Sequence, residues 1–111
     1  MDDAIEALAA LAHPGRLAVF RLLVQAGAEG VAAGDIARKF DTPANTMSTQ
    51  LAILARAGLI GSRRESRSIL YSANYKQIGA LIGFLMEDCC QGRPEICAPI
   101  VAKAACGAER R

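Results

Sequence analysis

The sequence has a single histidine, His13, no C-x-x-C pair and no cysteine before position 89. It also lacks a glycine-rich phosphate loop and any group of carboxylates set within an apolar stretch. Nucleophilic, acid–base and nucleotide chemistry need an activated nucleophile beside a base, or a backbone cradle for phosphate. An enzyme, such as a thiol oxidoreductase or a metalloid-handling carrier, therefore ranks below a binding protein. One imidazole at a helix junction reads as a structural hydrogen-bonding group rather than a metal ligand. The opening, MDDAIEALAALA, carries acids where an export signal carries bases, and no apolar run approaches the roughly 20 residues that span a bilayer. A cytoplasmic protein without a membrane partner is expected. No repeat or low-complexity segment interrupts the chain, and 111 residues at 52% hydrophobic composition suit one compact domain that gains from dimerisation.

The chain is organised around residues Thr42 to Asn74. Thr42 offers a capping hydroxyl and Pro43 sits where a missing N–H costs nothing. Met47, Leu51, Leu54 and Ala55 recur at helical spacing and Gly58 supplies a stop, which predicts a helix from Pro43 to Ala57. Its other face carries Asn45, Thr46, Ser48, Thr49 and Gln50. These are short, uncharged hydrogen-bonding side chains of the kind that read base edges in a major groove. Two β-favouring runs follow, Leu59-Ile60 and Ile69-Leu70-Tyr71, with Arg63, Arg64 and Arg67 between them. An arginine-tipped ribbon suits phosphate or minor-groove contact.

Charge is segregated to match. From Arg38 to Lys76 there are seven basic and two acidic residues, a net of +5. The remaining residues hold six basic and nine acidic, a net of −3, so the overall +2 conceals the asymmetry. Positive charge gathered on one segment is what counterion release on DNA requires.

The flanking segments supply a body. Asp2 to Ala12 reads as an alanine-rich helix with Ile5, Leu8, Ala9, Leu11 and Ala12 on one side, too short to stand alone. Pro14 opens a second helix, ending at Gly27, that turns Leu17, Phe20, Leu23 and Val24 inward. Gly34 to Phe40 is a short helix burying Ile36, Ala37 and Phe40, and with the Thr42 helix it forms a helix-turn-helix pair. From Tyr75 to about Cys90 a last helix carries the stripe Ile78, Leu81, Ile82, Leu85, Met86, Cys89 and Cys90, wide enough to face a second copy as well as its own core.

All four cysteines, Cys89, Cys90, Cys97 and Cys106, lie in the last quarter. In a reducing compartment such a cluster points to metal binding or redox chemistry before structural disulfides. Neighbours such as Cys89 and Cys90 form a strained ring if bonded to each other, but as two close thiolates they suit a soft ion. Gly92 and Pro94 would end the helix and let Cys97 fold back. Three sulfurs match the pyramidal preference of trivalent arsenic or antimony; Cys106 as a substitute or fourth thiolate would instead suit zinc or cadmium. A methylated trivalent arsenical, methylarsenite, needs only two. In the alternative reading, oxidation of a pair such as Cys90 and Cys97 is the signal.

The run MSTQLAILARAGLIGSRRESRSILY resembles the recognition helix and wing of the ArsR/SmtB family of metal-sensing winged helix-turn-helix repressors, and AHPGRLAVFRLL resembles its second helix. The similarity spans roughly Ile5 to Cys90. It implies a mainly α fold with a small β-hairpin wing, homodimeric, with the first helix in the dimer interface. Residues 1–91 would form the DNA-binding and dimerisation domain, and residues 92–111 a cysteine-containing tail that completes the inducer site. Some members bind arsenic near the end of the last helix through a vicinal cysteine pair and a third cysteine, and that role carries over to Cys89, Cys90 and Cys97. Other members use a cysteine pair on the short helix, or histidines and carboxylates on the last helix; VAAGDIARKF has no cysteine and the last helix no histidine. Gln50 stands where the family often has histidine, which bears on the operator sequence. Ser66 stands where the wing often has glycine, which suggests a different turn geometry. The expected protein is a repressor that binds a pseudo-palindromic operator as a homodimer and leaves it when As(III), Sb(III) or methylarsenite binds the thiolates. Ser48, Thr49 and Gln50 would read bases with Asn45 and Thr46 in support, and Arg63, Arg64 and Arg67 would hold phosphates or enter the minor groove.

Overall fold

Residues 2–86 are described by the structure, a computed structural model, as five helices and a small sheet. In chain order these are α1 (Asp2–Leu11), α2 (Pro14–Ala26), β1 (Val31–Ala32), α3 (Ala33–Lys39), α4 (Ala44–Arg56), β2 (Ile60–Glu65), β3 (Ser68–Ala73) and α5 (Tyr75–Leu85). The chain divides into two compact units, Met1–Gly79 and Ala80–Arg111. The second half of α5 opens the second unit, and the boundary expected at residues 91 and 92 lies outside the described residues, as do positions 87–90 of the predicted last helix.

The core of the first unit draws a few apolar side chains from each element. Val19 and Leu23 of α2, Ile36 of α3, and Met47, Leu51 and Leu54 of α4 are buried, together with Leu59, Ile60 and Ala73 around the sheet. Each large side chain so enclosed contributes roughly 1.5–3 kcal/mol. The expected inward face of α4 is the one observed, except that Ala55 is exposed. On α2, Leu17 is exposed and Val19 is buried in its place. On α1 the side facing the core is Ala7 and Ala10, whereas Ile5 and Leu8 are 59% and 43% exposed. Small residues let α1 lie close against its neighbours, and the bulky residues are left outward.

The turn between α3 and α4 is closed by backbone geometry. Phe40 caps α3, Asp41 takes φ 50°, its N–H donates to Arg38 O at 3.2 Å and the N–H of Thr42 donates to Ala37 O at 2.9 Å. That is the paired pattern by which a left-handed residue ends a helix. Thr42 therefore does not cap α4: its hydroxyl donates to Phe40 O at 3.0 Å, Pro43 occupies the cap position, and α4 begins at Ala44. The far end of α4 repeats the pattern, with Gly58 at φ 82° donating to Ala55 O and Leu59 to Leu54 O. Because Asp41 sits where a branched side chain collides with its own backbone, Asp41→Val is expected to cost about 1–2 kcal/mol, while Asp41→Gly costs nothing or stabilises. Urea unfolding midpoints at unchanged slope would check both.

The sheet is antiparallel in the order β1-β3-β2. The hairpin of β2 and β3 was expected; β1, two residues pairing Val31 with Tyr71 and Ala32 with Leu70, was not. The register Glu65↔Ser68 leaves a two-residue turn, Ser66-Arg67. Ser66 holds φ 54°, a backbone state that glycine adopts most easily. At the base of the hairpin Asn74 accepts from Gln77 N through Oδ1 and donates to Gly58 O through Nδ2. It thereby caps α5 and ties it to the end of α4.

Candidate nucleic-acid interface

The turn at Asp41 sets α4 across α3, and the apolar stripe of Met47, Leu51 and Leu54 decides which way α4 faces. At about 100° per residue, Asn45, Thr49, Ala52 and Arg56 fall on the opposite, exposed side, with Thr46 and Ser48 flanking them. Within this face Asn45 Oδ1 accepts from Thr46 N at 2.9 Å and the Thr49 hydroxyl donates to Asn45 O at 3.1 Å. The amide N–H pair of Asn45, the acceptor lone pairs of Thr49 and the hydroxyls of Thr46 and Ser48 are left for an outside partner. Gln50 lies on the flank, half-buried, against the start of α2: a Cβ built on Gly15 would come within 3.2 Å of its Nε2. Arg56, the only charged side chain of α4, shares the exposed face and was not among the expected site residues. Its spacing of seven from Thr49 was the available signal.

The start of α2 is fixed by His13, whose Nδ1 accepts from Gly15 N at 3.0 Å and Arg16 N at 3.4 Å. It is a helix cap, in keeping with the structural role expected of it. Arg16 in turn donates through Nε to Ala10 O at 2.6 Å, joining α2 to the end of α1.

The three wing arginines are not equivalent. Arg64 on β2 and Arg67 in the turn are exposed and make no hydrogen bond or ion pair among the described residues. Arg63 donates to Ala28 O, Glu29 O and Glu65 Oε2. Sequence reasoning treated all three alike.

No group of three or more histidine, cysteine, aspartate or glutamate side chains is placed to hold a metal among the described residues. Cys89, Cys90, Cys97 and Cys106 all lie outside them. No single helix there is long and apolar enough to cross a membrane.

A helix-turn-helix whose second helix offers a polar face, followed by a ribbon that carries exposed arginines, defines a winged helix-turn-helix DNA-binding protein. Comparison with known proteins agrees. Residues 11–63 match a family model described as a helix-turn-helix domain. Over 89 residues the chain is 34% identical to the HTH-type transcriptional regulator YgaV of Escherichia coli K12, covering 80% of this chain and 88% of that one. It is 34% identical over 83 residues to the Biofilm growth-associated repressor of Agrobacterium fabrum, covering 75% of this chain and 68% of the relative. Among solved structures, reduced HlyU from Vibrio cholerae aligns at TM-score 0.63 and 25% identity over 80% of this chain and 90% of that one. The homodimeric winged helix-turn-helix DNA-binding domain of a possible ArsR-family regulator from Mycobacterium bovis aligns at TM-score 0.62 and 28% identity, covering 78% and 81%. The chain belongs to the ArsR family of winged helix-turn-helix transcriptional regulators.

Proposed function

We propose that this regulator is a cytoplasmic repressor that binds operator DNA as a homodimer and releases it when a trivalent arsenical binds the thiolates of Cys89, Cys90 and Cys97. The observation that carries the DNA half is the exposed polar face of α4 together with Arg64 and Arg67, which make no hydrogen bond or ion pair among the described residues. Ser48, Thr49 and Gln50 read base edges, and Arg64 and Arg67 neutralise phosphates. Two heads on a twofold axis address half-sites about one helical turn apart, roughly 34 Å. Ile5 and Leu8 on α1, and separately Ile82, Phe84 and Leu85 on α5, are apolar side chains left exposed on one chain that a second copy would cover. The homodimeric state of the Mycobacterium bovis domain supports the same assembly, and the name of the Agrobacterium relative supports the repressor role.

The inducer half rests on the donor set. Four thiols concentrated in the last quarter suit a soft ion that takes three sulfurs, with arsenite, antimonite and methylarsenite as candidates and Cys106 as a substitute ligand. A second reading, release by oxidation of a cysteine pair, draws support from the likeness to a regulator whose structure was solved in a reduced form. Fluorescence anisotropy on a duplex selected from random sequence, under reducing conditions, separates them. Stoichiometric arsenite is expected to weaken binding about 5- to 150-fold, the usual range for allosteric coupling. Binding insensitive to arsenite but lost with peroxide would replace the first reading by the second.

A further inference from the structure

We infer that Arg63 is a positioning residue that straps the wing to the body of the domain and serves DNA binding through that geometry, not through a phosphate contact of its own. The inference rests on the DNA-binding reading above.

Alternation along β2 puts Arg63 on the sheet face opposite Ile60, which is buried, and opposite Arg64. From that outer face its guanidinium donates through Nη1 to Ala28 O at 3.2 Å and through Nη2 to Glu29 O at 2.9 Å, while Nε donates to Glu65 Oε2 at 3.3 Å. The two carbonyls belong to the loop leading into β1, and β1 and β2 are not neighbours, because β3 runs between them. The side chain therefore ties β2, on one edge of the sheet, to the loop that leads into the strand on the other edge.

The loop is shaped to receive it. Gly27 and Gly30 take φ 84° and 79°, the Gly30 N–H donates to Gly27 O at 3.2 Å, and a Cβ at Gly30 would stand 2.7 Å from Tyr71 O. Gly30 thus lets the loop press against β3, and the turn offers two successive carbonyls to one planar donor fork. A guanidinium matches that arrangement; a lysine ammonium is a single nitrogen on a flexible stem and cannot bridge both carbonyls in the same way. At its base the wing is fixed by the Gly58 turn at the end of α4. Arg63 supplies the second fixed point, and two points set the direction in which Arg64 and Arg67 project. Three of the five guanidinium N–H groups are taken up by these bonds.

The test compares Arg63→Lys, Arg63→Gln and Arg64→Gln by anisotropy on the selected duplex at several salt concentrations, with amide hydrogen exchange of residues 28–31 in the free proteins. If Arg63 acts by its fork, Arg63→Lys loses affinity about tenfold, as Arg63→Gln does, although it keeps the charge, and the slope of log affinity against log salt is unchanged. Exchange at residues 28–31 rises in both. Arg64→Gln lowers the slope by about 1 and leaves exchange at 28–31 as in the parent. Arg63→Lys binding like the parent, or Arg63→Gln lowering the slope by about 1, would overturn the inference in favour of a phosphate contact. If the parent protein bound no duplex, the DNA-binding reading would fail on its own; unchanged exchange in Arg63→Lys would separately disprove the strap.

Discussion

Gly30→Ala is expected to cost about 3 kcal/mol or more and to lower the thermal midpoint by roughly 10–20 °C in a domain of this size. Two penalties act at once. The backbone at φ 79° is one that alanine adopts only with strain, and the new methyl would stand 2.7 Å from Tyr71 O, a backbone atom of the central strand that cannot move aside without breaking its pairing with β1 or β2. Gly27→Ala provides the internal control. Gly27 takes φ 84° and ψ −169°, a backbone state that glycine alone adopts readily, but a Cβ there meets nothing within 4 Å, so backbone strain of about 1–3 kcal/mol is its only penalty. Circular dichroism melts of the two variants beside the parent measure both losses. A loss of less than about 1 kcal/mol in Gly30→Ala would mean that the loop is not pressed against β3 as the structure has it.

Under the proposed function, Cys90→Ser abolishes release by arsenite while leaving DNA affinity within about twofold of the parent. Removing a ligand should erase the coupling of about 1–3 kcal/mol that the ion supplies, because a serine hydroxyl is a hard, protonated donor and a poor substitute for a thiolate toward a soft ion. Affinity for DNA stays because the residues offered to it lie on α4 and the wing. Cys106→Ser is the companion variant, and it retains release if Cys89, Cys90 and Cys97 form the set. Arsenite titrations by anisotropy read both. Full release from Cys90→Ser would sink the assignment of that cysteine, and loss from Cys106→Ser alone would move the site toward the end of the chain.

Much of the candidate interface was legible because it is written in local periodicity. Met47, Leu51 and Leu54 recur at helical spacing, so the opposite face of α4 followed without knowledge of what covers them. The wing was legible from its β-favouring runs and from the charge between them. The errors share a different origin. Thr42 has the chemistry of a helix cap, but the left-handed turn at Asp41 draws its backbone N–H to Ala37 and leaves Pro43 at the cap position. On α1 the sequence marked Ile5 and Leu8 as part of an apolar side, but it did not mark Ala7 and Ala10 as the residues packed against α2 and α4. Strand β1 has two residues and no pattern of its own; it exists because β3 offers an open edge.

By itself the sequence determined the class of structure: amphipathic helices that must share a core, a polar helix face, and positive charge gathered from Arg38 to Lys76. Each of these is a property of neighbouring residues and survives being read in one dimension. Only the tertiary structure decided which arginine bonds to the loop before β1 and which two make no hydrogen bond or ion pair among the described residues. The carbonyls that Arg63 grips are 34 and 35 positions away along the chain and are brought within reach by a strand order of β1-β3-β2 and a glycine at φ 79°. A side chain's hydrogen-bonding partner depends on where the backbone carries remote groups, and three arginines in five residues look identical until the loop that one of them grips is in place.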